Sequence, residues 1–95
     1  MYERRKAINA INRYIYSMFK VDNDSPQHVH SLEAAEELRD LILGNNVGST
    51  FDIVDDYRTR MDMACLRSTT TTDRIIYSIK YDFATYVLDE LLPFG

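Results

Sequence analysis

The sequence predicts an all-α protein, arranged as a four-helix bundle or as paired helical hairpins completed by homo-oligomerisation. Three observations carry that expectation. Apolar residues recur at spacings of three and four through four separate stretches, the helical rather than the strand period. The second to fourth stretches are bounded by serine, threonine, proline or glycine in the positions where helices start and stop. Strand signals are poor: the most β-rich run, Thr69 to Tyr77, carries Asp73 and Arg74 in its middle and passes into helical spacing. Short connections favour antiparallel neighbours. At 95 residues, 45% hydrophobic and 27% charged, the chain fits one folded domain over residues 1–95 rather than a disordered or fibrous one.

The first helix is expected over Tyr2 to Lys20, with Ala7, Ile8, Ile11, Ile15, Met18 and Phe19 as its apolar face. Val21 to Ser25, with Asp22 and Asp24, breaks it. Ser25-Pro26 then supplies an oxygen-bearing cap and a proline at the first helical position, where the missing N–H costs nothing. Ser31 is a rival cap. The second helix runs to Leu43, with Ala35, Leu38, Leu41 and Ile42 inward. Gly44 fits a left-handed terminating residue, and Asn45-Asn46 continue the turn.

A third helix starts at Ser49, where Ser-Thr-Phe-Asp matches the capping box, and turns Phe51, Val54, Tyr57, Met61, Ala64 and Cys65 inward. Ser68 to Thr71 interrupt it, because consecutive β-branched residues lose side-chain freedom in a helix and their hydroxyls compete for backbone hydrogen bonds. The alternative is one long bent element. Thr71 or Thr72 caps the fourth helix, Asp73 suits its positive end, and Pro93 and Gly95 stop it. This helix is apolar on two sides: Ile76, Ile79, Phe83 and Val87 form one stripe, and Tyr77, Tyr81, Ala84, Leu88 and Leu92 a second. Two apolar faces require two partners, the rest of the fold and either a second copy or a target.

Several classes are disfavoured by composition. A net charge of −4 argues against duplex nucleic acid, which is held by many Lys and Arg contacts to phosphate. No apolar run approaches the ~18 residues that cross a bilayer, and the interrupted N-terminus does not look like a secretory leader. Cys65 is the single cysteine, so an intrachain disulfide is impossible, in keeping with a reducing, cytoplasmic setting and no membrane partner.

Three constellations could carry function. The segment Arg67-Ser-Thr-Thr-Thr-Thr-Asp-Arg74 combines a helix N-terminus with hydroxyls and two guanidinium groups, so Arg67, Thr71, Thr72 and Arg74 could hold a nucleotide or other phosphorylated ligand. The segment lacks a glycine that would let backbone approach a phosphate closely. His28 and His30 beside Asp22 and Asp24 have metal-binding residue types. Two histidines two apart on a helix point to different sides, so no metal site is expected.

Glu33-x-x-Glu36 and Asp52-x-x-Asp55 set acidic pairs at one-turn spacing on consecutive helices, a pattern able to hold Mg²⁺ between them. The pattern resembles that of the all-helical nucleoside triphosphate pyrophosphohydrolases of the MazG type, over Glu33 to Asp55 only and with Asp52 where that family has Glu. Magnesium-dependent nucleotide hydrolysis is what the resemblance implies. The apolar stripe of the second helix leaves Glu33, Glu36, Glu37 and Asp40 on its solvent side. No nucleophile elbow is present, and Cys65 lies in an apolar stripe where an inert thiol is expected.

Seven tyrosines without a tryptophan are the compositional oddity. Tyr14 and Tyr57 suit the edge of a core, with the hydroxyl outward. Tyr77, Tyr81, Leu88 and Leu92, on the second stripe, are the expected partner-binding residues, since tyrosine offers large contact area at low entropic cost. The leading expectation is therefore a non-enzymatic, cofactor-free interaction or regulatory module of inhibitor or adaptor type, of the kind found in phages and mobile elements. The alternatives are a binder of phosphorylated ligands at Arg67 to Arg74 and the magnesium-dependent hydrolase.

Overall fold

A computed structural model describes residues 2–19, 25–44 and 48–92, which form α1 (Tyr2–Phe19), α2 (Pro26–Gly44), α3 (Thr50–Arg67) and α4 (Thr71–Leu91). The end of the first helix at Lys20, the break at Val21 to Asp24, the turn at Asn45-Asn46 and the stop at Pro93 and Gly95 lie outside the described residues, as do the side chains of Met18 and Phe19.

Local capping explains the helix starts. The Ser25 hydroxyl accepts the His28 amide at 3.3 Å, and its carbonyl accepts the Val29 amide at 3.0 Å, so α2 begins at Pro26. Ser31 is not a cap; it is 1% exposed inside α2, where its hydroxyl accepts from Gln27 Nε2 at 3.5 Å. Ser49 takes the N-cap position of α3 with extended backbone, although its side chain does not cap the helix. The cap of α4 falls one residue before the expected threonines: Thr70 Oγ1 accepts the Asp73 amide at 3.1 Å, leaving Thr71 and Thr72 within the first turn.

Helices α3 and α4 are separate elements, because Ser68 and Thr70 adopt extended backbone between them. Gly44 is the last residue of α2 and not a left-handed terminator. Among the described residues the left-handed glycine is Gly48, at φ 96°, immediately before the cap of α3.

The core is assembled around α4. Phe83, Ala84, Val87, Leu88 and Leu91 of α4 form one cluster with Ala7 and Ile11 of α1, Ala34, Ala35, Leu38 and Ile42 of α2, and Val54 and Tyr57 of α3, and Ile79 of α4 is buried as well. The first stripe from Ile79 onward, and Ala84 and Leu88 of the second, thus find partners inside one chain, because α1, α2 and α3 pack around α4. Helix α3 touches chiefly α4. Leu41, expected inward, is 45% exposed, whereas Ala34, seven residues earlier on the same side of α2, is buried, as are Leu38 and Ile42 beside Leu41.

Beyond this core α3 and α4 continue as a hairpin arm. Every residue from Arg58 to Ser78 is half-buried or exposed, although both helices remain regular. The turn of the arm is held locally: Ser68 Oγ donates to the Ala64 carbonyl at 2.7 Å and Arg74 Nε to the Ser68 carbonyl at 3.3 Å.

Candidate docking site on the helical arm

At the base of the arm a polar brace joins three helices. Glu37 of α2 accepts the Tyr57 hydroxyl of α3 at 2.7 Å and the Lys80 ammonium of α4 at 3.0 Å. The Lys80 side chain is only 12% exposed and has a second carboxylate, Glu33, at 3.9 Å, which in turn holds His30 Nδ1 at 2.6 Å. A cation this enclosed needs anionic partners.

The Tyr57 hydroxyl is held far above its ordinary pKa of 10.0, first by burial, then by its hydrogen bond to Glu37 and by the Glu37 and Glu33 charges. The folded state therefore binds a proton that the unfolded chain releases near its ordinary value. The stabilisation is fully present below about pH 10 and is lost as the pH rises above it. Titration of unfolding free energy from about pH 8.5 to about pH 11 should accordingly fall more steeply for the wild type than for Tyr57→Phe; parallel curves would refute the assignment.

Tyr81 is half-buried, and the Arg58 guanidinium lies 5.8 Å from its ring centroid, a cation–π geometry. Arg58 also reaches Asp55 at 3.1 Å. Leu88, expected at a partner surface, is 6% exposed and belongs to the core, because the second stripe turns inward where α2 and α1 cover it. After Leu88 the buried position is Leu91, three residues on, and Leu92 emerges at 39% exposure.

Tyr77 keeps a place on an accessible surface. It lines an open concavity of about 570 Å³ on one flank of the arm, together with Arg60, Met63, Ala64, Arg67 and Asp73. Thr71 and Arg74 line a different concavity, about 590 Å³, beside Cys65, Ile75 and Pro26. The expected anion clamp is divided in consequence, with Arg67 on one flank and Arg74 on the other. The reason is the hairpin turn itself, which directs the end of α3 and the start of α4 to different sides.

The paired acids also remain apart. Glu33 engages His30 and Lys80, Asp55 engages Arg58, and Glu36 and Asp52 are exposed. Among the described residues no group of three or more histidine, cysteine or acidic side chains is placed to share a metal ion. Asp22 and Asp24, the acids that precede the two histidines, lie outside the described residues.

Sequence reasoning passed over Glu37, whose helical position reads as solvent-facing, and no local signal marks its role. It also passed over Met63 and Leu66, which are 44% and 75% exposed. A signal for those two exists: both fall out of phase with the Phe51, Val54, Tyr57 and Met61 stripe, so their own helix turns them outward.

None of the described helices is long and apolar enough to cross a membrane. Helix content and site together define an all-α bundle whose α3–α4 hairpin carries partly apolar, exposed surface. Comparison with protein families, curated proteins and solved structures finds no match, so the functional reading is carried by the geometry alone.

Proposed function

We propose that the chain is a non-enzymatic interaction module that docks protein through the α3–α4 arm, by a surface centred on Met63, Leu66, Arg67 and Tyr77. The observation that carries this reading is the arm itself. A run of helical hairpin without a buried residue, bearing a leucine at 75% exposure, leaves apolar surface in water that burial against a partner would remove at roughly 25 cal/mol per Å². Methionine, tyrosine and arginine around one concavity match the composition of interface centres. An inhibitor or adaptor acting in the cytoplasm, with Cys65 as a free thiol, is the role this reading favours.

The test places a photoreactive benzoylphenylalanine at Leu66, with Asp89, exposed near the far end of α4, as the control position. Irradiation of cells making the protein is expected to give a discrete protein adduct from Leu66 and none from Asp89. No adduct from Leu66 would overturn the docking reading.

A second reading is favoured by one observation, the convergence of Arg60, Arg67 and Tyr77 on the 570 Å³ concavity, which offers two cations and a ring to a phosphorylated ligand. It retains Arg67 and replaces Arg74 with Arg60. Asp73 on the same wall opposes it.

A further inference from the structure

We infer that α3 pairs with its own counterpart in a second copy of the chain, antiparallel about a two-fold axis that passes near Met61 and Asp62. This rests on the arm being a docking surface and names what it docks. The inference comes from the polarity of α3's solvent side. Asp52, Asp56, Arg60, Met63 and Arg67 follow one another at spacings of four, four, three and four, and all are exposed, so they form one ridge. The ridge is acidic toward its N-terminal end and basic and apolar toward its C-terminal end.

A ridge of that polarity is complementary to itself in one direction only. Two copies laid parallel would face Asp56 with Asp56 and Arg67 with Arg67. Laid antiparallel, the Asp56 end of each meets the Arg67 end of the other, twice, as an isologous two-fold contact requires. With the axis near Met61 and Asp62, Asp56 stands opposite the mate's Arg67. Arg60 then stands opposite Met63, and Leu66 lies beside the mate's Thr59. The contact thereby covers the most exposed large apolar side chain among the described residues, Leu66 at 75%.

The arm supplies the cationic half. Residues 58–78 carry four arginines against two aspartates, a local charge of +2 in a chain whose net charge is −4. The receiving half is anionic, with Asp56 and Asp40 at the rim of a furrow of about 420 Å³ between α2 and α3, whose lining includes the 45% exposed Leu41. Arg60 lines both this furrow and the concavity of the arm, so the two adjoin along the ridge. Within one chain Asp56 and Arg60 pair at 2.8 Å, but at 59% and 70% side-chain exposure that pair is worth little and is readily exchanged for an intermolecular one.

The test is a charge exchange between copies, read as mass by light scattering during size-exclusion chromatography over a range of concentrations. The wild type is expected to reach twice the 11.1 kDa chain mass. Asp56→Arg alone and Arg67→Asp alone should each remain monomeric, because each places like charges together at both ends of the contact. An equimolar mixture of the two variants should recover the dimer mass. The two introduced side chains, opposite in sign, then meet at one end of the contact, while the native Asp56 and Arg67 meet at the other. Both positions are exposed, and wild-type helicity of each variant by circular dichroism establishes that folding is intact.

A monomeric wild type at every concentration would overturn the pairing, as would a wild-type dimer that either variant retains or that mixing fails to restore. The docking reading fails separately. A monomer whose Leu66 probe captures a different protein keeps the arm as a docking surface and removes the second copy as its occupant.

Discussion

Phe83→Ala is expected to destabilise the fold by about 3–5 kcal/mol, the range for emptying a buried phenylalanine site. Phe83 is 4% exposed on α4, and its ring meets the Tyr14 ring of α1 edge-on at 4.8 Å, with Tyr86 at 6.1 Å. Truncation therefore removes apolar burial and an edge-to-face ring contact together. It opens a void where rigid helices on both sides limit collapse. At roughly 4–8 °C per kcal/mol for a domain of this size, the melting temperature should fall by about 12 °C or more. Urea unfolding followed by circular dichroism measures the loss. A cost within the ~0.5 kcal/mol typical of surface substitutions would mean that Phe83 is not at a packed centre.

The second large effect is expected at the brace. Glu37→Ala should cost about 2 kcal/mol, because it strands the Tyr57 hydroxyl and takes the nearest carboxylate from the enclosed Lys80, leaving Glu33 at 3.9 Å. The figure is held below that of a buried ion pair because the Glu37 side chain is itself about half exposed. Glu37→Gln keeps an acceptor for Tyr57 while losing the charge, and should fall between the wild type and the alanine variant. Glu36→Ala, one residue away on the exposed side of α2, supplies the control. Equal stability of the Glu36 and Glu37 alanine variants in urea would show that the three helices are not tied through this carboxylate.

These two sites differ in how far they could be read from the chain. Phe83 lies on a stripe with Ile79 and Val87, and the period of 3.6 residues alone turns it inward. Ser25-Pro26 and Thr70-x-x-Asp73 are local chemistry of the same kind, satisfied by hydrogen bonds spanning three residues. The choice of cap among four threonines was beyond propensity, since Thr70, Thr71 and Thr72 have the same side chain. Which one accepts an amide depends on where the turn from α3 releases the backbone.

Glu37 offers no such signal. Its partners come from 20 and 43 residues away, and a glutamate on an amphipathic helix looks the same whether it meets water or a lysine. The paired acids and paired arginines mislead for a related reason: spacing along a helix sets which side chains share a face, while convergence requires two faces to be brought together. The hairpin turn separates Arg67 from Arg74, and the other acids are taken up by His30, Lys80 and Arg58 or left in water.

What the amino-acid order determines by itself is therefore the all-helical class, the four helices and the inward side of most of them, because periodicity and caps act within a few residues. Only the tertiary structure decides the rest. The C-terminal part of both α4 stripes up to Leu88 is used inside one chain, because three helices surround that half of α4. Residues 58–78, at the end of α3 and the start of α4, carry no buried side chain and leave Met63, Leu66 and Tyr77 at an accessible surface. Relative placement of whole helices is a sum of many weak, long-range contacts, and no local pattern records it.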